Sequence, residues 1–165
     1  MKLFNFLKEK FGKIEKVYMY TDGAGSQYKN RFNFVNMTFM KDEFGFDLEW
    51  NFHSTSHGKC ACDGLGRTLK RSAFKFNLSN TESPIRDANS MYIWATEKFR
   101  TKMQFAFVTE DDYNRSDIIC KLRMNNVKSI EKTHNYHSFT PRDKYILDVK
   151  IFSNDSESYT KNLLK

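Results

Sequence analysis

Two aspartates stand at positions where carboxylates can do chemistry. Asp22 ends an apolar run that begins at Val17, and Asp63 follows a polar loop, in the first turn of a predicted helix. Acids that follow a strand and open a helix could meet at one end of a sheet, where α/β folds keep their active sites. Carboxylate oxygens are also the ligands that hard divalent cations prefer. One interpretation of Asp63 is therefore a metal ligand.

A basic segment, Arg67-Thr68-Leu69-Lys70-Arg71, follows Asp63 on the same predicted helix. It has two interpretations. Arg67, Lys70 and Arg71 form a cationic track for a phosphate backbone, or they form a solvated helix side. In the second interpretation the helix dipole favours Asp63 in the first turn, and its ion pair with Arg67 is worth less than about 1 kcal/mol.

Glycines also punctuate the turn Gly23-Ala24-Gly25-Ser26 between a predicted strand and a predicted helix. A phosphate-binding loop is the alternative interpretation of such a turn. That loop needs a Gly-Lys-Ser/Thr ending or a G-x-G-x-x-G spacing, and neither is present here. The sequence therefore disfavours a nucleotide site at this turn.

The hydrophobic periodicity predicts an α/β protein. Apolar character on both faces of the strand at 17–22 suggests a place inside the sheet. Ser26 is the predicted cap of the second helix and Gly45 its stop. The tail from Ser153 is expected to be mobile, and residues 141–143 to form a turn. Helices are predicted over 2–14, 27–44, 62–78, 87–101 and 110–124, and strands over 17–22, 48–53, 104–108, 127–131 and 145–152.

Composition favours one small basic protein with polyanionic partners. The chain has 165 residues, a net charge of +7 and 16% aromatic residues, so nucleic acid is the first partner class to consider. No run approaches the ~20 apolar residues of a membrane span, and an intracellular protein without membrane contact is expected. The aromatic and histidine residues of 133–139 are assigned to packing rather than to stacking on bases.

Cysteine and histidine offer a competing metal site. Four side chains of zinc-binding type lie within ten positions, namely His53, His57, Cys60 and Cys62. The C-x-C spacing differs from the usual C-x2-C knuckle, and His53 belongs to a predicted strand, so structural zinc is disfavoured. With three cysteines in the chain, reduced thiols are expected rather than a disulfide framework.

Three stretches together carry a family resemblance: residues 20–30 (YTDGAGSQYKN), 54–59 (STSHGK) and 62–71 (CDGLGRTLKR). They resemble the second half of the ribonuclease H-like catalytic core of DDE transposases and retroviral-type integrases. The closest likeness is to transposase-derived proteins of animal genomes. The match covers about 55 of the 165 residues, and 63 − 22 = 41 positions separate the two aspartates.

The resemblance implies metal-dependent phosphoryl transfer on nucleic acid, most directly DNA in the nucleus. Asp22 matches the second catalytic acid and Asp63 the third, where integrases usually carry Glu. They would hold two Mg2+ or Mn2+ ions roughly 4 Å apart, with Asp22 bridging both. His57 would touch a phosphate or orient the nucleophile, although a structural role in its loop is the alternative. The nucleic-acid contacts implied are Lys29, Lys59, Arg67, Lys70 and Arg71.

The family's first catalytic aspartate has no counterpart in this chain. The residues before Asp22 contain only the acids Glu9 and Glu15, both on or beside the first predicted helix. The expected fold is a partial ribonuclease H-like mixed sheet flanked by helices, over residues 1–80, with an α/β extension over 81–165 packed on it. Its open edge would pair with the chain's own C-terminal strands, with a second copy or with another partner chain.

Three functions follow from this pattern. The first is a fragment that binds nucleic acid and has little or no catalysis alone. The second is a nuclease or strand-transferase that obtains its missing acid from another chain. The third is a DNA- or RNA-binding or interaction module without chemistry.

Overall fold

A computed structural model describes residues 2–53 and 61–165 of the chain, as a mixed α/β protein. A short 3-10 helix covers Thr133–Asn135. The α-helices are α1 (Lys2–Phe11), α2 (Arg31–Met37), α3 (Met40–Phe44), α4 (Ala61–Ser79), α5 (Ala88–Lys98) and α6 (Glu110–Arg123). The strands are β1 (Lys16–Thr21), β2 (Asp47–Phe52), β3 (Ser138–Asp143), β4 (Ile146–Lys150) and β5 (Tyr159–Asn162). The predicted α/β class is confirmed.

The chain forms two compact units. One, here called the sheet unit, comprises Met1–Gly58 and Glu110–Lys165, and the other, the helical unit, comprises Lys59–Thr109. The C-terminal strands thus belong with the N-terminal ones, whereas α4 and α5 form a unit of their own.

The described residues form one sheet of five strands in the order β1-β2-β3-β4-β5. β1 and β2 are parallel, with Val17 opposite Leu48, and the remaining pairs are antiparallel. The C-terminal strands extend the sheet beside β2, so β1 lies at its edge. The expectation that β1 is buried on both faces was wrong: Tyr18 and Tyr20 are 55% and 61% exposed.

The main core lies on one face of this sheet. Period-two alternation places Leu48, Trp50 and Phe52 of β2 on that face, and all three are buried. Phe34 of α2 stacks on Phe139 of β3 at 4.4 Å between ring centroids. The assignment of the segment ending at Phe139 to packing is confirmed for this residue, which is 0% exposed.

The predicted helix over 27–44 is replaced by a turn and two short helices. The N-terminal cap is Asn30, not Ser26: its side chain accepts a hydrogen bond from the Asn33 backbone N–H at 3.1 Å. α2 stops because Thr38 Oγ1 donates to the Val35 carbonyl at 2.7 Å and accepts from the Tyr145 N–H. The predicted stop at Gly45 is confirmed, with a left-handed φ of 75°.

Residues 104–108 are not a strand, because no described strand pairs with them. The aromatic residues of this segment pack on rings of the helical unit instead: the centroid of the Phe105 ring lies 6.3 Å from that of Phe99, and the centroid of the Phe107 ring lies 5.6 Å from that of Tyr92. Both aromatic partners belong to α5 or its cap.

Three C-terminal assignments were also wrong. The predicted strand over 127–131 is reduced to one bridge between Val127 and Leu164. Residues 141–143 belong to β3, and the turn follows them at Tyr145, whose φ is 60°. Part of the tail expected to be mobile is β5, which pairs with β4.

Candidate carboxylate and nucleic-acid site

The carboxyl ends of β1 and β2 meet at one edge of the sheet because the two strands are parallel. Asp22 follows β1 and His53 follows β2. The His53 N–H donates to the Thr21 carbonyl at 2.9 Å, and Trp50 Nε1 donates to Thr21 Oγ1 at 2.9 Å. These bonds fix the end of β1, and therefore the backbone that carries Asp22, against β2.

Asp22 itself is an exposed carboxylate with one local hydrogen bond. Its Oδ1 accepts from the Ala24 backbone N–H at 3.1 Å, which opens the turn after β1. An Asx turn of this kind is a sufficient structural reason for aspartate at this position. A carboxylate with its accessible oxygens at the end of a parallel pair is also a hard ligand available to a divalent cation.

Lys29 lies at the same end of the sheet but is half-buried. Its Nζ is 5.3 Å from the centroid of the Phe52 ring and 5.9 Å from that of Phe139, and it donates weakly to the His134 carbonyl at 3.5 Å. Burial lowers the pKa of the Lys29 ammonium below its usual value. Lys29 therefore packs against two rings of the core, and its contact with phosphate stays a prediction.

The charge on Lys29 is expected to reduce stability in a pH-dependent way. A lysine whose pKa is lowered on folding carries a penalty below its folded pKa, which is relieved as pH rises toward the unfolded value of about 10.4. Lys29→Met should therefore be more stable than the wild type at about pH 7, with the gap narrowing near about pH 10. Urea titrations at both pH values measure this.

The control for that comparison is Lys8→Met, on an exposed position of α1. It should change stability by less than about 0.5 kcal/mol at either pH. A Lys29→Met variant that is less stable than the wild type at neutral pH would show that the contacts with the two rings outweigh desolvation.

Sequence reasoning missed His137 as a neighbour of this end of β2. Its Nδ1 lies 3.0 Å from the Phe52 carbonyl, its own carbonyl accepts from the Phe52 N–H, and its ring stacks on Phe152. The only signal was the cluster of histidines and aromatics that had been assigned to packing. These contacts fix the end of β2 against the residues that lead into β3.

Asp63 lies in the first turn of α4, as predicted, and is exposed. Arg67, Lys70 and Arg71 are exposed on the same helix. Asp22 belongs to the sheet unit and Asp63 to the helical unit, so their meeting at one site stays a prediction. His57 and Lys59 lie outside the described residues.

Lys75 continues the basic series on α4. Residues four apart lie one above the other on a helix, so Arg67, Arg71 and Lys75 form one stripe, here called the basic stripe. The rise of 1.5 Å per residue separates neighbours by about 6 Å along the helix axis. Three exposed cations in a row are an arrangement that suits an extended polyanion.

The two metal predictions stay open. Within residues 2–53 and 61–165, no group of three or more His, Cys, Asp or Glu side chains is placed to hold a metal ion. Of the four residues considered for zinc, His57 and Cys60 fall outside that part of the chain, and Cys62 is exposed. Asp22 and Asp63 have the hard oxygens that Mg2+ and Mn2+ require.

Comparison with known proteins gives a family but no function. No curated protein and no solved structure matches the chain significantly. None of the described helices is long and apolar enough to cross a membrane. Residues 1–153 match a family model, and the chain therefore belongs to the family described as domain of unknown function (DUF8701).

Proposed function

We propose that this chain is a transposase-derived, ribonuclease H-like fragment that binds DNA in the nucleus and has little or no catalysis alone. The observation that carries the proposal is the parallel β1–β2 pair, with Asp22 directly after β1 and no described strand on the other side of β1. In the family that the sequence resembles, the strands of the first half lie beside this one.

The carboxylates support weak rather than efficient metal chemistry. Asp22 and Asp63 supply hard oxygen ligands, but two carboxylates leave much of the charge of two divalent cations uncompensated. The acids before Asp22 do not replace the missing ligand: Glu9 lies on α1, and Glu15 pairs with Lys13 at 3.5 Å, both side chains being more than four-fifths exposed.

Charge and exposure support the proposed binding of nucleic acid. The net charge is +7, and Arg67, Lys70 and Arg71 lie exposed on the 19-residue helix α4. Contacts with phosphates release condensed counterions, so affinity should fall steeply as salt rises. Binding of this kind reads charge rather than base sequence.

A nuclease assay tests the catalytic part of the proposal. The purified chain with Mg2+ and plasmid DNA is expected to show no cleavage above a metal-free control, while it shifts DNA at low salt. Mg2+-dependent cleavage that disappears in Asp22→Asn would refute inactivity. Tight DNA binding unchanged in Asp22→Asn and in Asp63→Asn would favour the binding module without chemistry.

A second candidate, an enzyme completed by another chain, is favoured by the edge of β1 that no described strand covers. In a parallel pair, the N–H and C=O of one residue point to the same neighbour. Glu15 and Thr21 accept hydrogen bonds from β2, so by alternation Val17 and Met19 also face β2. The backbone groups of Lys16, Tyr18 and Tyr20 therefore point outward, where an added strand would pair.

Proline variants separate this candidate from the first. Tyr18→Pro removes an outward N–H and leaves the β1–β2 bonds in place, whereas Met19→Pro removes a bond to β2 and should unfold the sheet unit. Cleavage that appears only at high protein concentration and is lost in folded Tyr18→Pro would establish completion through this edge. Absence of cleavage at every concentration would count against it.

A further inference from the structure

The helical unit contains a cleft between α4 and α5 that the basic stripe leads into. Its volume is about 310 Å³, at the lower end of the range of about 300–1,000 Å³ for small-ligand sites. Lys75 and Phe76 line it from α4, with Ser72 and Ser79 above and below them on the same side of the helix. Trp94 and Lys98, one turn apart, line it from α5.

An aromatic pair forms one wall of the cleft. The rings of Phe76 and Trp94 lie 5.6 Å apart at an interplanar angle of 47°. The ring of Phe99, which is 8% exposed, lies nearly perpendicular to the indole of Trp94, with 5.9 Å between the ring centroids. The indole is thus held in one orientation while remaining only half-buried, which makes it a rigid platform open to the cleft.

Two cations border the same wall. Lys75 and Lys98 are exposed, and neither forms an ion pair with a carboxylate of the described residues. Two ammonium groups beside a fixed aromatic ring are the elements with which proteins hold single-stranded nucleic acid, since bases stack on the ring and phosphates contact the cations.

We propose that this cleft binds an unpaired base of a single-stranded nucleic acid, with the base on Trp94 and the adjoining phosphates on Lys75 and Lys98. The inference rests on the proposed nucleic-acid function and adds the form of the ligand. Paired bases cannot enter, because the face that would stack on Trp94 is covered by neighbouring pairs in a duplex. The other residues of the basic stripe would then contact the next phosphates along the nucleic-acid strand.

Tryptophan fluorescence tests the stacking directly. An oligothymidylate is expected to quench the emission of the full chain and of Trp50→Phe, but not that of Trp94→Phe, since Trp50 is only 7% exposed. An oligomer of the same length without bases should quench neither. Trp94→Leu should weaken binding of oligothymidylate roughly 5- to 150-fold, with an unchanged circular dichroism spectrum as the check on folding.

A lysine pair tests the phosphate contacts. Lys75→Gln with Lys98→Gln should reduce the slope of log K against log salt by about 1.4, or roughly 0.7 per contact on a single strand. The control pair Lys8→Gln with Lys10→Gln removes the same charge from α1 and should leave that slope nearly unchanged.

Several results would overturn the inference. Equal binding of the oligomer with and without bases would exclude stacking, and so would unchanged affinity in Trp94→Leu. Competition by polyglutamate as strong as that by oligothymidylate would assign the cleft to acidic peptides. If the wild type binds duplex DNA and these cleft variants change nothing, only this inference fails; if the wild type binds neither form, the proposed function fails with it.

Discussion

Replacing Phe139 by alanine is expected to lower the free energy of unfolding of the sheet unit by about 3–5 kcal/mol. The side chain is 0% exposed, and its ring stacks on Phe34 at 4.4 Å and meets Phe52 edge-on at 5.4 Å. Removing it leaves a cavity between β2, β3 and α2, which close-packed neighbours can fill only in part. The loss is a large fraction of the roughly 5–15 kcal/mol that stabilises a typical domain.

Urea unfolding followed by Trp50 fluorescence, in a Trp94→Phe background, measures this effect in the sheet unit alone. Trp50 is the residue opposite Phe139 in the register of β2 and β3. The control is Phe11→Ala, which removes a ring that is 62% exposed and should change stability by no more than about 0.5 kcal/mol. A Trp50 transition with an unchanged midpoint in Phe139→Ala would mean that the C-terminal strands fold independently of β1 and β2.

The sequence predicted those elements that depend on local signals. The period of two of Leu48, Trp50 and Phe52 predicted β2, and Gly45 predicted the end of the helix because glycine readily adopts a positive φ. β5 gave no such signal: Tyr159 to Asn162 are mostly polar, and the strand exists because β4 pairs with it, with Leu163 anchored beside it at 0% exposed. A strand that forms because another segment pairs with it cannot be predicted from the local sequence pattern.

The difference between local signals and contacts with other residues also applies to the helix cap and to the candidate site. Serine and asparagine are both favourable N-cap residues. Asn30 caps the helix rather than Ser26 because the backbone N–H groups of Gln27, Tyr28 and Lys29 donate to the Ala24 carbonyl and form a turn before the helix begins. Asp22 was placed correctly at a strand end by the apolar run before it. Its predicted meeting with Asp63 involves residues of two different units, and no residue spacing specifies how two units are arranged.

Replacing Arg67, Lys70 and Arg71 together by glutamine is expected to weaken duplex DNA binding strongly and to flatten its salt dependence. The three side chains are exposed on one helix, and each phosphate contact contributes about 0.9 to the slope of log K against log salt on duplex DNA. Loss of the triad should lower the slope by roughly 2 to 3. Fluorescence anisotropy of a labelled duplex between about 50 and 200 mM salt measures it.

Attraction by net charge alone would not depend on which lysines or arginines are replaced. A control variant on α1 separates this explanation from a defined interface on α4. The triple variant Lys8→Gln, Lys10→Gln, Lys13→Gln takes the charge from +7 to +4 as well, since 7 − 3 = 4, and all three lysines are exposed. If the whole positive surface attracts DNA without a defined interface, both triple variants lose affinity equally. A loss confined to the variant on α4 would place the phosphate backbone on this helix, whose first turn contains Asp63, the predicted metal ligand.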